Sequence, residues 1–286
     1  MTTRLSTSSA FPVKLTLLSA GIFLSLFFLV PLLLVFGVSL ASRGMYGGIA
    51  WIATSENYER LLDSLVGTIF LRSLLFAGLT TMVCAAVGFP LAYCIARASR
   101  QWQLILLTLV MIPFWTNFLV RTYAWVLIFR ADGILNSLLL RLGLLEEPLA
   151  LLFTDMSVFV GLVYGYLPFM VLPLVVAIER ISPQLEEAAF DLYASMGAMF
   201  RHVVLPLSKP GFIAGGMLVF IPSLGAFITP YLLGGGQKMM LGTLIQQEFL
   251  VSRDWPFGSA LSFGLMGTVL LLWFLLGRTS FGRDSL

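Results

Sequence analysis

The chain has 286 residues, 59% of them hydrophobic and 11% charged, and a mean hydropathy of +0.97. Soluble domains average about 25% charged residues, so this composition excludes disordered polymers, nucleic-acid binders and disulfide scaffolds. The net charge of +3 and the pI near 9.0 are small excesses that read as loop charge rather than as a polyanion-binding surface.

Residues 1–14 form a short polar leader with Arg4 and Lys14, expected on the cytoplasmic side. Six apolar blocks follow, at residues 15–40, 73–96, 104–129, 157–178, 212–233 and 259–276. About 20 helical residues at 1.5 Å each cover the roughly 30 Å of a hydrocarbon core, so each block is long enough, or nearly so, to span it. Five blocks contain no Asp, Glu, Lys or Arg, and the third contains only Arg121. Such runs are too long for buried strands and lack the alternation of a membrane barrel. Backbone groups in lipid must be satisfied within the segment, so the expected fold is an all-α membrane protein with six transmembrane helices over residues 15–277.

The first block is far longer than the apolar core of a cleavable signal, which is about 7–15 residues, and is expected to be retained. With the N-terminus inside, the cytoplasmic segments carry nine Lys or Arg residues against six in the outer loops. That bias places both termini, including a tail at 278–286, in the cytoplasm. Cys84 and Cys94 lie ten residues apart in one helix, about 15 Å along its axis, too far to pair. Both read as small apolar fillers.

Motifs for chemistry are scarce. A P-loop needs Lys followed by Ser or Thr after a glycine-rich turn, whereas Lys14, Lys209 and Lys238 precede Leu15, Pro210 and Met239. A single histidine, His202, and two distant cysteines leave no set of zinc ligands. Neither catalysis nor a bound metal or cofactor is expected of this chain.

The segment 179–211, on the cytoplasmic side, is the least lipid-like stretch between helices. Ser182 suits an N-cap and Pro183 the first helical position. Glu186, Glu187 and Asp191 fall in the first turns, where the helix dipole favours anions. Leu185, Ala188, Ala189, Leu192 and Met196 follow the spacing of one apolar face, and Gly197 can end the helix. An interfacial helix lying on lipid headgroups would carry Lys and Arg on its polar face. This face is acidic, which suits docking to another protein.

Glu187-Ala188-Ala189, followed by Val203-Val204-Leu205-Pro206, resembles the EAA loop of ABC-importer permeases. In that pattern Val203 takes the isoleucine position and Tyr193 stands where the family has glycine. The resemblance implies a type I importer permease in which Glu186, Glu187, Ala188, Ala189, Asp191, Leu205 and Pro206 serve coupling to a cytoplasmic ATPase. Further stretches are similar to the spermidine/putrescine permease branch: Ile112-Pro113-Phe114-Trp115-Thr116-Asn117, Gly161-Leu162-Val163-Tyr164, Leu167-Pro168-Phe169-Met170 and Arg253-Asp254-Trp255-Pro256-Phe257-Gly258. The family implies a second related permease, two ATPase subunits that bind ATP and Mg, and an extracytoplasmic solute-binding protein, all in a bacterial inner membrane.

Three blocks carry residues that can break a helix near mid-depth: Pro113 and Asn117, Gly165 and Pro168, and Pro222-Ser223-Leu224-Gly225. Unwound backbone at that depth is tolerated where it faces protein or a wet cavity, so the three breaks are expected to mark a translocation pathway. Trp115, Asn117, Arg121, Tyr164, Tyr166, Ser223, Phe227 and Tyr231 are its candidate lining. Arg121 can also snorkel to the outer headgroups, and the aromatic residues can also pack between helices. Polyamine-branch members commonly carry acid in the fifth helix, where this chain has Ala226 and Tyr231. The resemblance nevertheless implies a polyamine first, with an amino-acid-like, opine, thiamine or phosphonate compound as the alternative. An ion-driven secondary transporter would place ionisable groups within its spans, and here only Arg121 does so.

Overall fold

The computed structural model describes residues 21–281. The leader at 1–14, the start of the first block and the last residues of the tail lie outside them. In chain order the elements are α1 (Gly21–Ser39, with a π-helical turn at Ser25–Leu29), β1 (Ala41–Arg43), β2 (Ile49–Ala53), α2 (Glu56–Arg60), α3 (Ser64–Arg97), α4 (Arg100–Trp115), α5 (Phe118–Phe129) and α6 (Ile134–Arg141). They continue with α7 (Asp155–Glu179), α8 (Pro183–Asp191), α9 (Met196–Leu207, containing a π turn at Phe200–Val204), α10 (Lys209–Leu224), α11 (Ile228–Leu233), α12 (Leu241–Leu250) and α13 (Trp255–Phe281). Among the described residues five helices are long and apolar enough to cross a membrane, and six if α9 and α10, bent by 66°, count as one span.

Two of the six expected blocks are not single helices. The block at 104–129 divides into α4 and α5. Thr116 is extended, and the Asn117 side chain accepts a hydrogen bond from Leu119 N at 2.8 Å, which caps α5 and competes with helix continuation. The block at 212–233 divides at Gly225, Ala226 and Phe227 into α10 and α11. The fourth block differs in the other direction: α7 runs unbroken through Gly165, Pro168 and Pro173. It is the most buried of the candidate spans, and packing against its neighbours keeps it continuous where proline removes a backbone bond.

The chain forms two units. The first is built from the ends, up to Asp63 and from Ile245. There α13 packs on α1, α2 and β1, with Phe36 edge-on to Phe263 at 5.3 Å. The β1–β2 hairpin is pinned by Asn57, whose side-chain amide donates to Ser39 O at 3.0 Å and Ala41 O at 2.8 Å. Asp254, almost fully buried, accepts from Arg60 at 2.9 Å and from Phe257 N at 3.2 Å, and so caps α13. The Arg60 guanidinium lies 3.7 Å from the Phe257 ring centre.

The second unit, Ser64–Leu244, is built on α3, α7 and α10. Between Val66 and Ile69 at one end and Ile95 at the other, Ser73, Ala77, Thr80, Cys84, Gly88 and Ala92 form the middle of the buried stripe of α3, while Leu71, Leu75, Leu79 and Met82 are exposed on its other side. Small residues inside and large apolar ones outside are the inverse of a water-soluble helix. They are what close helix approach within lipid requires, where dispersion and not water exclusion drives packing. On α10, a Cβ at Gly211 would stand 2.9 Å from Pro173 O, and one at Gly215 would stand 2.8 Å from the Met170 sulfur. These glycines let α10 lie directly against α7.

Candidate functional site

The 179–211 segment is the first candidate. Ser182 precedes α8 with Pro183 at its first position, as the local sequence directs. The helix ends at Asp191, not near Gly197. Tyr193 N donates to Phe190 O at 2.9 Å and Ala194 N to Ala189 O at 3.0 Å, and Tyr193 has φ +60°. This is a Schellman termination with Tyr193 in the left-handed position that glycine normally fills. Gly197 instead lies inside α9, behind the Ser195 cap. Leu192 and Met196 therefore do not extend the apolar face of α8.

The expected coupling residues separate into two sets. Glu187, Ala188 and Asp191 are exposed, as are Leu205 and Pro206 where α9 bends toward α10. Glu186 is only 9% exposed and turned inward, and Ala189 packs on the cluster of Ile181, Met199 and Val204. Glu186 differs from its neighbour: one residue round the helix, about 100°, it faces α3 rather than solvent. Its Oε2 accepts from Tyr93 Oη at 2.7 Å, and its Oε1 accepts from Arg97 Nε at 2.9 Å and also from Nη2. Arg97 and Tyr93 were not singled out from sequence. The only signal was a cation in the last turn of an apolar helix, a common feature of helix ends.

The broken helices are the second candidate. Pro113 O, left by the α4 terminus, accepts from Thr116 Oγ1 at 2.6 Å and from Arg121 Nη1 at 3.1 Å. Arg121 thus reaches back along its own chain to cap α4. Its guanidinium also sits 5.2 Å from the Phe118 ring and 5.9 Å from the Tyr164 ring. Tyr164 stands edge-on to Trp125 at 5.3 Å. At the other break, Tyr166 Oη donates to Pro222 O at 3.2 Å, and buried Ser223 donates to Val219 O at 2.7 Å. Two tyrosines of α7, two residues apart, therefore brace the two breaks. Trp115, Phe227 and Tyr231 are exposed, and Asn117 is occupied as a cap.

Two features of this unit had no sequence signal. Asp155 pairs with Arg72 and, at 3.5 Å, with Lys238. Ser73 Oγ accepts from Leu241 N at 2.7 Å, which fastens the end of the segment after α11 to α3.

Known proteins agree with this architecture. The family model described as binding-protein-dependent transport system inner membrane component matches residues 85–282. The chain is 41% identical to the spermidine/putrescine transport system permease protein PotB of Haemophilus influenzae over 93% of each chain. It is 40% identical to the Escherichia coli protein of the same name, over 89% of this chain and 94% of that one. It is also 33% identical to the inner membrane ABC transporter permease protein YdcU of Escherichia coli, over 78% and 74%. Among solved structures, a chain of a bacterial alginate ABC transporter in complex with an alginate pentasaccharide-bound periplasmic protein shares the fold, with a TM-score of 0.75, 15% identity and 96% coverage of both chains. With helices of membrane-spanning length in a permease arrangement, this multi-pass membrane chain belongs to the family of binding-protein-dependent transport system inner membrane components, the permeases of ABC importers.

Proposed function

We propose that this permease carries a polyamine, spermidine or putrescine, inward across a bacterial inner membrane, driven by ATPase subunits that dock on α8. The substrate class rests on relatives about 40% identical over nearly their whole length. The docking site rests on one observation: Glu187, Ala188 and Asp191 are presented outward by a short helix whose other side is anchored to α3. Leu205 and Pro206, exposed at the following bend, complete the same surface. ATP and Mg would bind to those partners, and this chain would supply a pathway and no catalytic group. A second, related permease and an extracytoplasmic solute-binding protein complete the assembly, with both termini of this chain in the cytoplasm.

The route follows the breaks in α4–α5 and α10–α11, with Tyr164, Tyr166, Ser223, Trp115, Phe227 and Tyr231 beside it. Exposed aromatic faces attract organic cations. Arg121 favours a second reading, a zwitterion or anion, because it brings a fixed positive charge to Tyr164. The test is a ligand screen on the binding protein that co-purifies with this chain. Binding of spermidine or putrescine supports the first reading. Indifference to both, with binding of an amino acid or an anion, overturns it in favour of the second.

A further inference from the structure

We propose that Glu186, Arg97 and Tyr93 form a strut that carries displacement of α8 into α3, so that Arg97 and Glu186 are positioning residues for coupling. The inference rests on the reading of α8 as the ATPase contact. Glu186 is the one acid of α8 withdrawn from solvent, and both of its oxygens are held by donors one turn apart on α3. The Arg97 fork engages Oε1 with two nitrogens, and its Nη2 also donates to Ile181 O at 3.1 Å, in the turn leading into α8. Two-point engagement fixes orientation as well as distance. The pair is largely shielded, with side chains 19% and 11% exposed. It is therefore screened far less than a surface pair.

An aromatic contact locks the same helix end from another side. The Tyr93 ring stands edge-on to Phe200 of α9 at 4.7 Å, and Phe89, one turn earlier, contacts Phe200 at 6.0 Å and stacks on Phe212 of α10 at 5.4 Å. Movement of α8 and α9 cannot leave the end of α3 behind without breaking an ion pair or unpacking these rings. Further along, a Cβ at Gly88 would be 3.2 Å from the Met170 side chain of α7. A tilt of α3 is thus passed on to the helix whose tyrosines brace both breaks. Glu187 touches the motor, and Glu186 transmits what it receives.

The test uses the assembled importer in proteoliposomes, with ATP hydrolysis measured with and without saturating binding protein as purified from the periplasm. Arg97→Gln and Glu186→Gln are each expected to lower the stimulation by about tenfold, the scale of typical coupling free energies. Arg97→Lys, which keeps the charge and loses the fork, is expected to lose a few-fold. The double exchange R97E/E186R is expected to regain most of the loss while the single exchanges do not. Normal stimulation in the single variants overturns the strut. So does parallel loss of assembly, seen by size exclusion, without rescue in the double exchange, since that marks a merely structural pair. Glu187→Lys separates the two levels. If it also stimulates normally, the reading of α8 has failed, and if it alone is defective, only the strut has failed.

Discussion

Replacing Tyr193 with glycine is expected to stabilise the protein. At φ +60° an L-residue carries a penalty of about 1–2 kcal/mol from its Cβ, which glycine does not have. Glycine costs about 0.5–1 kcal/mol in unfolded-chain entropy. The tyrosine ring is 97% exposed, so its removal forfeits almost no burial within the chain. The net gain is about 0.5–1 kcal/mol, or roughly 1–3 °C in Tm for a chain of this size. Tyr193→Pro is the opposite control. It cannot adopt positive φ and deletes the N–H that bonds Phe190 O, and should cost about 3 kcal/mol. Thermal unfolding of the detergent-purified chain distinguishes them. If Tyr193→Gly destabilises as much as the proline, the left-handed termination of α8 is wrong.

Four further outcomes follow from the geometry. Arg121→Met removes one donor from Pro113 O and should destabilise the α4–α5 junction by about 1–2 kcal/mol, seen as faster amide exchange around residues 113–121. Gly161→Ala places a methyl 2.8 Å from Thr229 Cγ2 and against Leu233, and should cost about 1–3 kcal/mol in a thermal melt. Gly197→Ala meets open space inside α9 and should instead gain up to about 1 kcal/mol, a gain that would be absent if Gly197 ended a helix. Burial, followed by the nearby Asp254 charge, pushes the Glu248 carboxyl above its usual value against the pull of Ser252, Arg60 and Arg43. A carboxyl with a raised folded pKa binds its proton more tightly when folded. Its contribution to stability is therefore fully present below the unfolded value and lost as pH rises through the folded one. Melting followed upward in pH from the ordinary carboxyl value of 4.5 should lose part of its pH dependence in Glu248→Gln.

Much of the helical layout was legible because lipid leaves little choice: long uncharged runs must satisfy their own backbone. The break at Asn117 was legible for a local reason, a capping side chain just after a proline. The expected break at Gly165 and Pro168 was not realised, because proline is tolerated in a helix packed against its neighbours. No local rule reports that packing. In the 179–211 segment, local propensity pointed to Gly197 as the helix end, while the resemblance pointed to Tyr193 as the glycine-like position. The backbone conformation agrees with the resemblance. Glu186 and Glu187 are chemically alike and adjacent, so sequence could not assign one inward and the other outward. That choice depends on Arg97, 89 residues away.

In the proposed importer a cytoplasmic ATPase seats on the outward face of α8. The most direct measurement is a photo-crosslink from a benzoyl-phenylalanine replacing Ala188 in the assembled importer, read by mass spectrometry. The expected product is an adduct with the ATPase subunit. Adducts with lipid alone, in a complex that still contains the ATPase, would contradict it.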